Sequence, residues 1–320
     1  MIRKKQDITI ARTANFLRER DKFLLLCHRY PDGDTLGSAF ALCRALLKLG
    51  KAARVLCPDD IPPKYDYLFS DLDLPDFDEE CVITLDIADP HLLGRLAERY
   101  GDAVDLCIDH HGSNKKYAAY NLVDSKCAAA GELVYKIILK LGLAIDRDMA
   151  AGLYTAISTD TGCFRFSNVT AQTHRITAGL LAAGVDFMAI NTIMFETKSR
   201  ARMEIERAVF DTLEYFSGGE IAIVRLTGAV IERSGADDSE LEGIANIPRR
   251  IEGVKIGVLL REVPDGCRIS MRTVTGINAS DICGFLGGGG HPCAAGATVP
   301  GDLDEAARRV LWAIGEYNGK

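Results

Sequence analysis

The sequence holds little that would tie it to a membrane, a disulfide framework or a long polyanion. No apolar run approaches the roughly 18 residues of a membrane helix; the stretch Phe23–Cys27 is only strand-sized. Met1–Asp7 is charged and no apolar segment follows it, so no secretion signal is expected. Basic residues are outnumbered, with Lys plus Arg at 38 against Asp plus Glu at 45, a net charge of −7. A protein that tracks a long nucleic acid presents a basic face. Any phosphate compound is therefore expected in a local pocket, not along an extended groove. No G-x-x-x-x-G-K-S/T phosphate loop, G-x-G-x-x-G turn, H-E-x-x-H helix or G-x-S-x-G elbow is present. These absences remove the commonest nucleotide-loop, zinc-protease and serine-hydrolase readings.

Cysteine is present but unpaired in pattern. The chain has 10 cysteines, no two closer than Cys283 and Cys293, and no C-x-x-C. That spacing predicts small buried hydrophobes in a reducing, cytoplasmic compartment, not zinc knuckles or redox pairs.

At 320 residues the chain has room for about two domains. In the first half, strand-sized runs (Lys22–Cys27, Ala52–Cys57, Cys81–Asp86, Val104–Asp109) alternate with helical patterns over Thr35–Leu49 and Asp89–Tyr100. Strands alternating with helices predict an α/β fold with a mostly parallel sheet flanked by helices. Helical patterns follow over Ala128–Ile157, Thr170–Ala183 and Lys198–Phe216. After Ser217-Gly218-Gly219, strands are expected at Ile221–Leu226, Val254–Val263 and Arg268–Thr273. Helices are expected near Ser239–Arg250, Ala279–Phe285 and Leu303–Tyr317. This predicts a domain over 1–190, a helical linker over 191–218 and a smaller α/β domain over 219–320.

Four segments carry metal-type ligands, each placed at the end of an expected strand or helix. The first is His28-Arg29-Tyr30-Pro31-Asp32-Gly33-Asp34. Here Gly33 allows a tight path, so that Asp32 and Asp34 can converge or diverge around a cation, though Asp34 can equally be read as a helix cap. The second is Asp86, at the end of an apolar strand, where a carboxylate is costly unless paired or metal-bound. The third is Asp109-His110-His111-Gly112-Ser113-Asn114. Adjacent strand-end histidines point apart, so one is expected on a metal and the other facing substrate, with Asp109 orienting an imidazole and Asn114 beside it. The fourth is Thr159-Asp160-Thr161-Gly162, letters that also serve ordinary turns. Pooled, His28, Asp32, Asp34, Asp86, His110 and Asp160 carry too much charge for one ion. Oxygen and imidazole donors without thiolate lean toward Mn²⁺, with Mg²⁺ or Co²⁺ as alternatives, and two ions sharing a carboxylate suit phosphoryl chemistry.

Near the C-terminus, Gly287-Gly288-Gly289-Gly290-His291-Pro292 holds more glycine than a turn needs. Consecutive unobstructed N–H groups make an anion-binding nest. Gly288, Gly289, Gly290 and His291 are therefore expected at a phosphate, with Arg272 from the preceding strand beside them; a flexible loop is the plain alternative.

In this order the motifs resemble the DHH phosphoesterases, the family named for the triplet present here as Asp109-His110-His111. His28-x-x-x-Asp32-Gly33-Asp34-x-x-Gly37-Ser38 is similar to its first motif, Asp86 to its second and Thr159–Gly162 to its fourth. Gly287–His291 is similar to the signature of the DHH-associated C-terminal domain. The resemblance implies one Mn²⁺ on His28, Asp32 and Asp86, and a second on Asp34, Asp86, His110 and Asp160. His111 and Asp86 would then serve catalysis. Arg272, Gly288–Gly290 and His291 would hold the nucleotide. The implied activity is hydrolysis of short nucleotides (nanoRNA, linear dinucleotides, phosphoadenosine phosphate) by a two-metal mechanism. Cyclic di-AMP cleavage, pyrophosphate or polyphosphate hydrolysis and a non-catalytic nucleotide sensor are the alternatives. Partners would be short oligoribonucleotides or dinucleotides as substrates, without a membrane or a long nucleic-acid groove, and a homodimer is open.

Overall fold

The computed structural model describes residues 5–319 apart from Pro75, Asp237 and Glu242, and it divides between Thr197 and Lys198 into two units. Among the described residues no helix is long and apolar enough to cross a membrane.

The first unit is built on a six-stranded, wholly parallel sheet. Its strands are β1 (Gln6–Asp7), β2 (Phe23–Leu26), β3 (Ala53–Leu56), β4 (Cys81–Leu85), β5 (Leu106–Asp109) and β6 (Tyr120–Val123). Their spatial order is β1-β6-β5-β4-β2-β3. Strands covered on both faces need apolar side chains both ways, and β2 obliges. Phe23 and Leu25 enter one core, Leu24 and Leu26 the other, and all four are fully buried. The larger core is closed by α1 (Ile10–Arg18), α2 (Gly33–Lys48), and the later α4 (Ala130–Lys140), α5 (Arg147–Asp160) and α6 (Ala171–Ala182). The segment expected as one helix over Asp89–Tyr100 differs. Asp89 caps it as anticipated, accepting from the His91 N–H at 3.1 Å. A 3₁₀ turn over Pro90–Leu96 then bends at Gly94 (φ 52°), and only Ala97–Tyr100, α3, is α-helical.

The chain runs from β2 out to β3, then returns to begin β4 on the other side of β2. That reversal opens a crevice beyond the carboxyl ends of β2 and β4, where open α/β sheets bind ligands. His28 follows β2 and Asp86 follows β4.

Two glycines bring α2 and α5 together over this crevice. A Cβ on Gly37 would lie 2.2 Å from the Gly152 carbonyl oxygen and 2.9 Å from the Ala156 nitrogen, both backbone atoms. A Cβ on Gly152 would lie 2.7 Å from the Gly37 oxygen. Neither helix has room for a methyl group. Gly37→Ala is therefore expected to cost about 1–3 kcal/mol by overpacking, read as a lowered urea midpoint with unchanged slope.

The second unit carries a mixed six-stranded sheet of order β11-β12-β10-β9-β8-β7. After α7 (Phe187–Asn191) in the first unit, it contains α8 (Arg200–Asp211), β7 (Glu214–Phe216), β8 (Ile221–Leu226), α9 (Gly228–Ser234), β9 (Ile256–Val263) and β10 (Gly266–Thr273). It closes with α10 (Ala279–Gly284), β11 (Gly289–His291), β12 (Ala294–Val299) and α11 (Leu303–Asn318). β8 and β9 are parallel and the other pairs antiparallel.

The stretch expected as a linker over 191–218 is not a separate piece. Helix α8 packs Ile205 and Val209 into this unit's own core against Val224, Leu226 and Leu259. It ends at Asp211, five residues short of the expected Phe216, because β7 takes the rest as an edge strand. Its buried Glu206 is matched by Lys198 at 2.6 Å and Arg202 at 2.8 Å. The helix expected over 239–250, which includes Glu242 outside the described residues, is a series of short 3₁₀ turns.

Candidate metal centre

Four segments deliver their ligands to the β2–β4 crevice, Asp34 from the first turn of α2 and Asp160 from the last residue of α5. His28 Nε2 lies 3.4 Å from Asp32 Oδ1 and 3.8 Å from Asp86 Oδ2. His110 Nε2 lies 3.3 Å from Asp160 Oδ2, 3.4 Å from Asp86 Oδ1 and 3.7 Å from Asp34 Oδ2. The donors fall into the sets His28–Asp32–Asp86 and Asp34–His110–Asp160, the atoms of each within 4.8 Å of one another. Asp86 faces both sets, one oxygen toward each histidine. A third group joins Asp86, Asp109, His110 and His111. In it Asp109 is already committed to hydrogen bonds, so its oxygens are poorly placed to serve an ion.

Local structure explains each position. Asp32 caps α2, its Oδ1 accepting from the N–H groups of Asp34 and Thr35 at 3.0 and 3.1 Å. The cap is thus Asp32, not Asp34, and α2 begins at Gly33. Gly33 is pressed against Thr159, whose side chain would stand 2.4 Å from a Cβ there. That contact joins the first ligand segment to the fourth. Asp34 is fully buried and accepts from Ala130 N (2.6 Å), Gly131 N (3.0 Å) and Ser38 Oγ (3.0 Å). Asp86 leaves β4 in the left-handed region (φ 60°), a conformation that strains a residue with a Cβ and that persists where function requires it.

The histidine pair follows β5 and does not point apart as expected: the ring centroids are 4.5 Å apart, and His111 Nδ1 stands 3.3 Å from Asp86 Oδ1, the oxygen that His110 Nε2 approaches at 3.4 Å. His110 turns inward and rests Nδ1 3.2 Å from the Cys127 carbonyl, leaving Nε2 to the carboxylates. His111 is half-exposed, with Nδ1 2.9 Å from Asp109 Oδ1. Asp109 also accepts from the backbone N–H groups of His110 and His111 and from Asn114 Nδ2 at 2.5 Å. Its carboxyl is buried but held below the usual range by His111 and Asn114.

The electrostatics are those of crowded carboxylates. Burial, then the charges of Asp86 and Asp160, push Asp34 well above the ordinary value. Burial lifts Asp160 to about 6; His110 works against this, Asp86 and Asp32 with it. Burial opposes charge on His28, but Asp32 outweighs it and raises the imidazole to about 9. His110 is likewise raised to about 9, where Asp86 and Asp34 overcome burial. Asp109 and Asp86 raise His111 to about 11. The cluster attracts positive charge strongly, and protons are only one way to supply it.

Asp86 Oδ1 and His110 Nε2 are both buried and neither has a hydrogen-bond partner. Two orphaned lone-pair donors pointing into one space fit a cation, since a buried polar atom left unpaired is costly. Acidic oxygens with imidazole and no thiolate fit a hard-to-borderline divalent ion.

Sequence reasoning missed the donors to Asp34. One signal was available: α4 starts after Ala129, which offers no side-chain cap. An uncapped helix start needs an acceptor from elsewhere, and Asp34 is that acceptor.

The glycine run of the second unit differs from the expected nest. The N–H groups of Gly287 and Gly288 close the end of α10, on Gly284 O at 3.1 Å and Cys283 O at 2.9 Å. Gly289–His291 is then an edge strand on β12. A Cβ on Gly288 would meet the Gly296 oxygen at 2.1 Å, and one on Gly290 the Ala294 oxygen at 2.6 Å. Close strand approach thus requires glycine here. His291 is exposed at the end of the strand, and Arg272 is half-buried, its Nε donating to Asn246 Oδ1 at 3.1 Å.

A family model described as the DHH family, N-terminal domain, matches residues 22–157, and one for the DHHA1 domain matches residues 219–317. The chain is 34% identical, over 90% of its length and 88% of the relative's, to the bifunctional oligoribonuclease and PAP phosphatase NrnA of Thermus thermophilus. It is 26% identical to the protein of that name from Bacillus subtilis, over 90% of this chain and 92% of the relative. In fold it is similar to an exopolyphosphatase-related protein from Bacteroides fragilis, with a TM-score of 0.85, 24% identity and 96% of each chain covered.

Proposed function

Because the chain belongs to the DHH family and is a phosphoesterase of that family, we propose that it hydrolyses short oligoribonucleotides and phosphoadenosine phosphate. The substrate assignment is carried over from the relatives of that name, which match nearly full length. The observation that carries the chemistry is Asp86, a buried carboxylate facing two ligand sets, with Oδ1 and His110 Nε2 orphaned 3.4 Å apart. His28, Asp32 and Asp86 would hold one Mn²⁺, and Asp34, Asp86, His110 and Asp160 another. Such a pair lowers the pKa of a water nucleophile and neutralises charge on the phosphoryl oxygens.

The chain's own residues do the rest. Asp109 fixes His111 through Nδ1, which frees Nε2 to donate a hydrogen bond to a phosphate oxygen or a proton to the leaving oxygen. The Ala130 and Gly131 N–H groups hold Asp34 in place. Arg272 and His291, in the second unit, hold the part of the nucleotide that is not cleaved.

Initial rates with Mn²⁺, Mg²⁺ or Co²⁺ on a diribonucleotide, cyclic di-AMP, phosphoadenosine phosphate and pyrophosphate test the reading. Mn²⁺-dependent turnover of the diribonucleotide and phosphoadenosine phosphate is expected, and preferential turnover of pyrophosphate would overturn it. Arg272→Ala should lower kcat/KM on the diribonucleotide about tenfold to a hundredfold, the worth of a charge-assisted contact. Hydrolysis of bis-p-nitrophenyl phosphate, which is too small to need a nucleoside clamp, should change far less. Equal losses on both substrates would remove Arg272 from the clamp.

A further inference from the structure

We propose that Arg268 forms a second phosphate contact in the β10–β12 trough and sets the preferred length of the oligonucleotide, an inference that rests on the nucleotide-hydrolase reading above. The trough holds about 670 Å³ and is lined by Arg268, Ser270, Arg272, Gly289, Gly296 and Thr298, among others. Ile269 and Met271 point into the core that α10 and α11 cover. By strand alternation Arg268, Ser270 and Arg272 point together to the opposite face.

The two arginines are held differently. Arg272 is anchored by Asn246 and by the Met271 carbonyl at 3.0 Å. Arg268 is exposed, and among the described residues its side chain has no hydrogen-bond or ion-pair partner. Directly across the ladder from Arg268 stands Arg261. On the other side Arg268 faces Thr298, a small polar residue that leaves the space open.

Distance separates the roles. Four residues of strand span about 13 Å, and the anchored Arg272 guanidinium cannot swing toward Arg268. A phosphate seated over Arg272 is thus separate from one seated over Arg268. A strand lying along β10 can offer one phosphate to Arg272 and a further one to Arg268, over a floor of Gly289 and Gly296 that admits the backbone closely. Arginine suits this role because its fork engages phosphate oxygens in pairs. A substrate too short to carry the further phosphate gains nothing from Arg268.

The test uses the full-length chain slowed by Asp86→Asn and fluorescent RNAs of two, three, four and five nucleotides. With Arg268 present, affinity should tighten about tenfold at one step of the series. Arg268→Ala should abolish that step, Arg268→Lys should restore only part of it because an ammonium keeps the charge without the fork, and Arg272→Ala should weaken every length. An equal loss at all lengths in Arg268→Ala, or no step with Arg268 present, overturns the proposal. Hydrolysis of the diribonucleotide by the unmodified chain is measured alongside. Turnover without a length step rejects the Arg268 assignment alone, whereas no turnover of any nucleotide rejects the broader reading with it.

Discussion

Asp86→Asn should lower kcat/KM on a diribonucleotide by at least about a thousandfold, the scale of losing a main electrostatic group from a preorganised site, without unfolding the protein. Asparagine keeps the size and the strand-end position of Asp86, which is only 4% exposed. It removes one negative charge from a cluster in which Asp34 and Asp160 are already pushed toward their neutral forms. It also takes a partner from His110 and His111, which Asp86 helps hold protonated, so in the absence of divalent ions the melting temperature should change little. Loss of activity with retained stability separates a chemical role from a structural one. Near-normal rates with two ions bound would mean that Asp86 is not the shared ligand. A lower melting temperature matching the lost activity would mean that the carboxylate mainly holds the fold.

His110→Ala and His111→Ala should fail in different ways. His110 Nε2 is buried among three carboxylates. Its removal should weaken binding of the second ion, read by calorimetric titration with Mn²⁺, and the rate should recover partly at high Mn²⁺. His111 is 45% exposed at its side chain and leans on Asp109. Its removal should leave both binding events intact and reduce single-turnover rates by about a hundredfold to ten-thousandfold, the usual worth of a positioned acid or base. High Mn²⁺ should not rescue it. Equal loss of metal from the two variants would show that His111 is itself a ligand.

Much of the first unit was legible because its central strands are short continuous apolar runs between turns, as in Phe23–Leu26 and Cys81–Leu85, all buried. Others were not. β1 is two residues long and exists through its ladder to Tyr120 and Asn121. Gly289–Gly290 of β11 and Ala294–Ala297 of β12 are glycine and alanine, residues without β preference, and their strand state comes from pairing, β12 on β10 and β11 on β12. The ligand residues were legible for a chemical reason: carboxylates at the ends of apolar strands need a partner. What supports them was not. Gly37 and Gly152 look like ordinary helix residues until α2 and α5 are seen to touch at them. The donors to Asp34 are backbone N–H groups, which no residue letter announces.

The bonds to Asp34 also have a consequence during synthesis. Its N–H donors lie 96 and 97 residues further along the chain, and the facing Asp160 comes later still. At ribosomal speeds of about 5–20 residues per second, several seconds separate the emergence of Asp34 from that of its supports. A nascent chain that has exposed His28, Asp32, Asp34 and Asp86 still lacks the helix start that steadies the third of them. Hydrolytic competence should therefore appear abruptly, after α5 has cleared the exit tunnel, and not by degrees. Ribosome-arrested chains of increasing length, assayed for Mn²⁺-dependent cleavage of a small chromogenic diester, should stay silent until Asp160 is free.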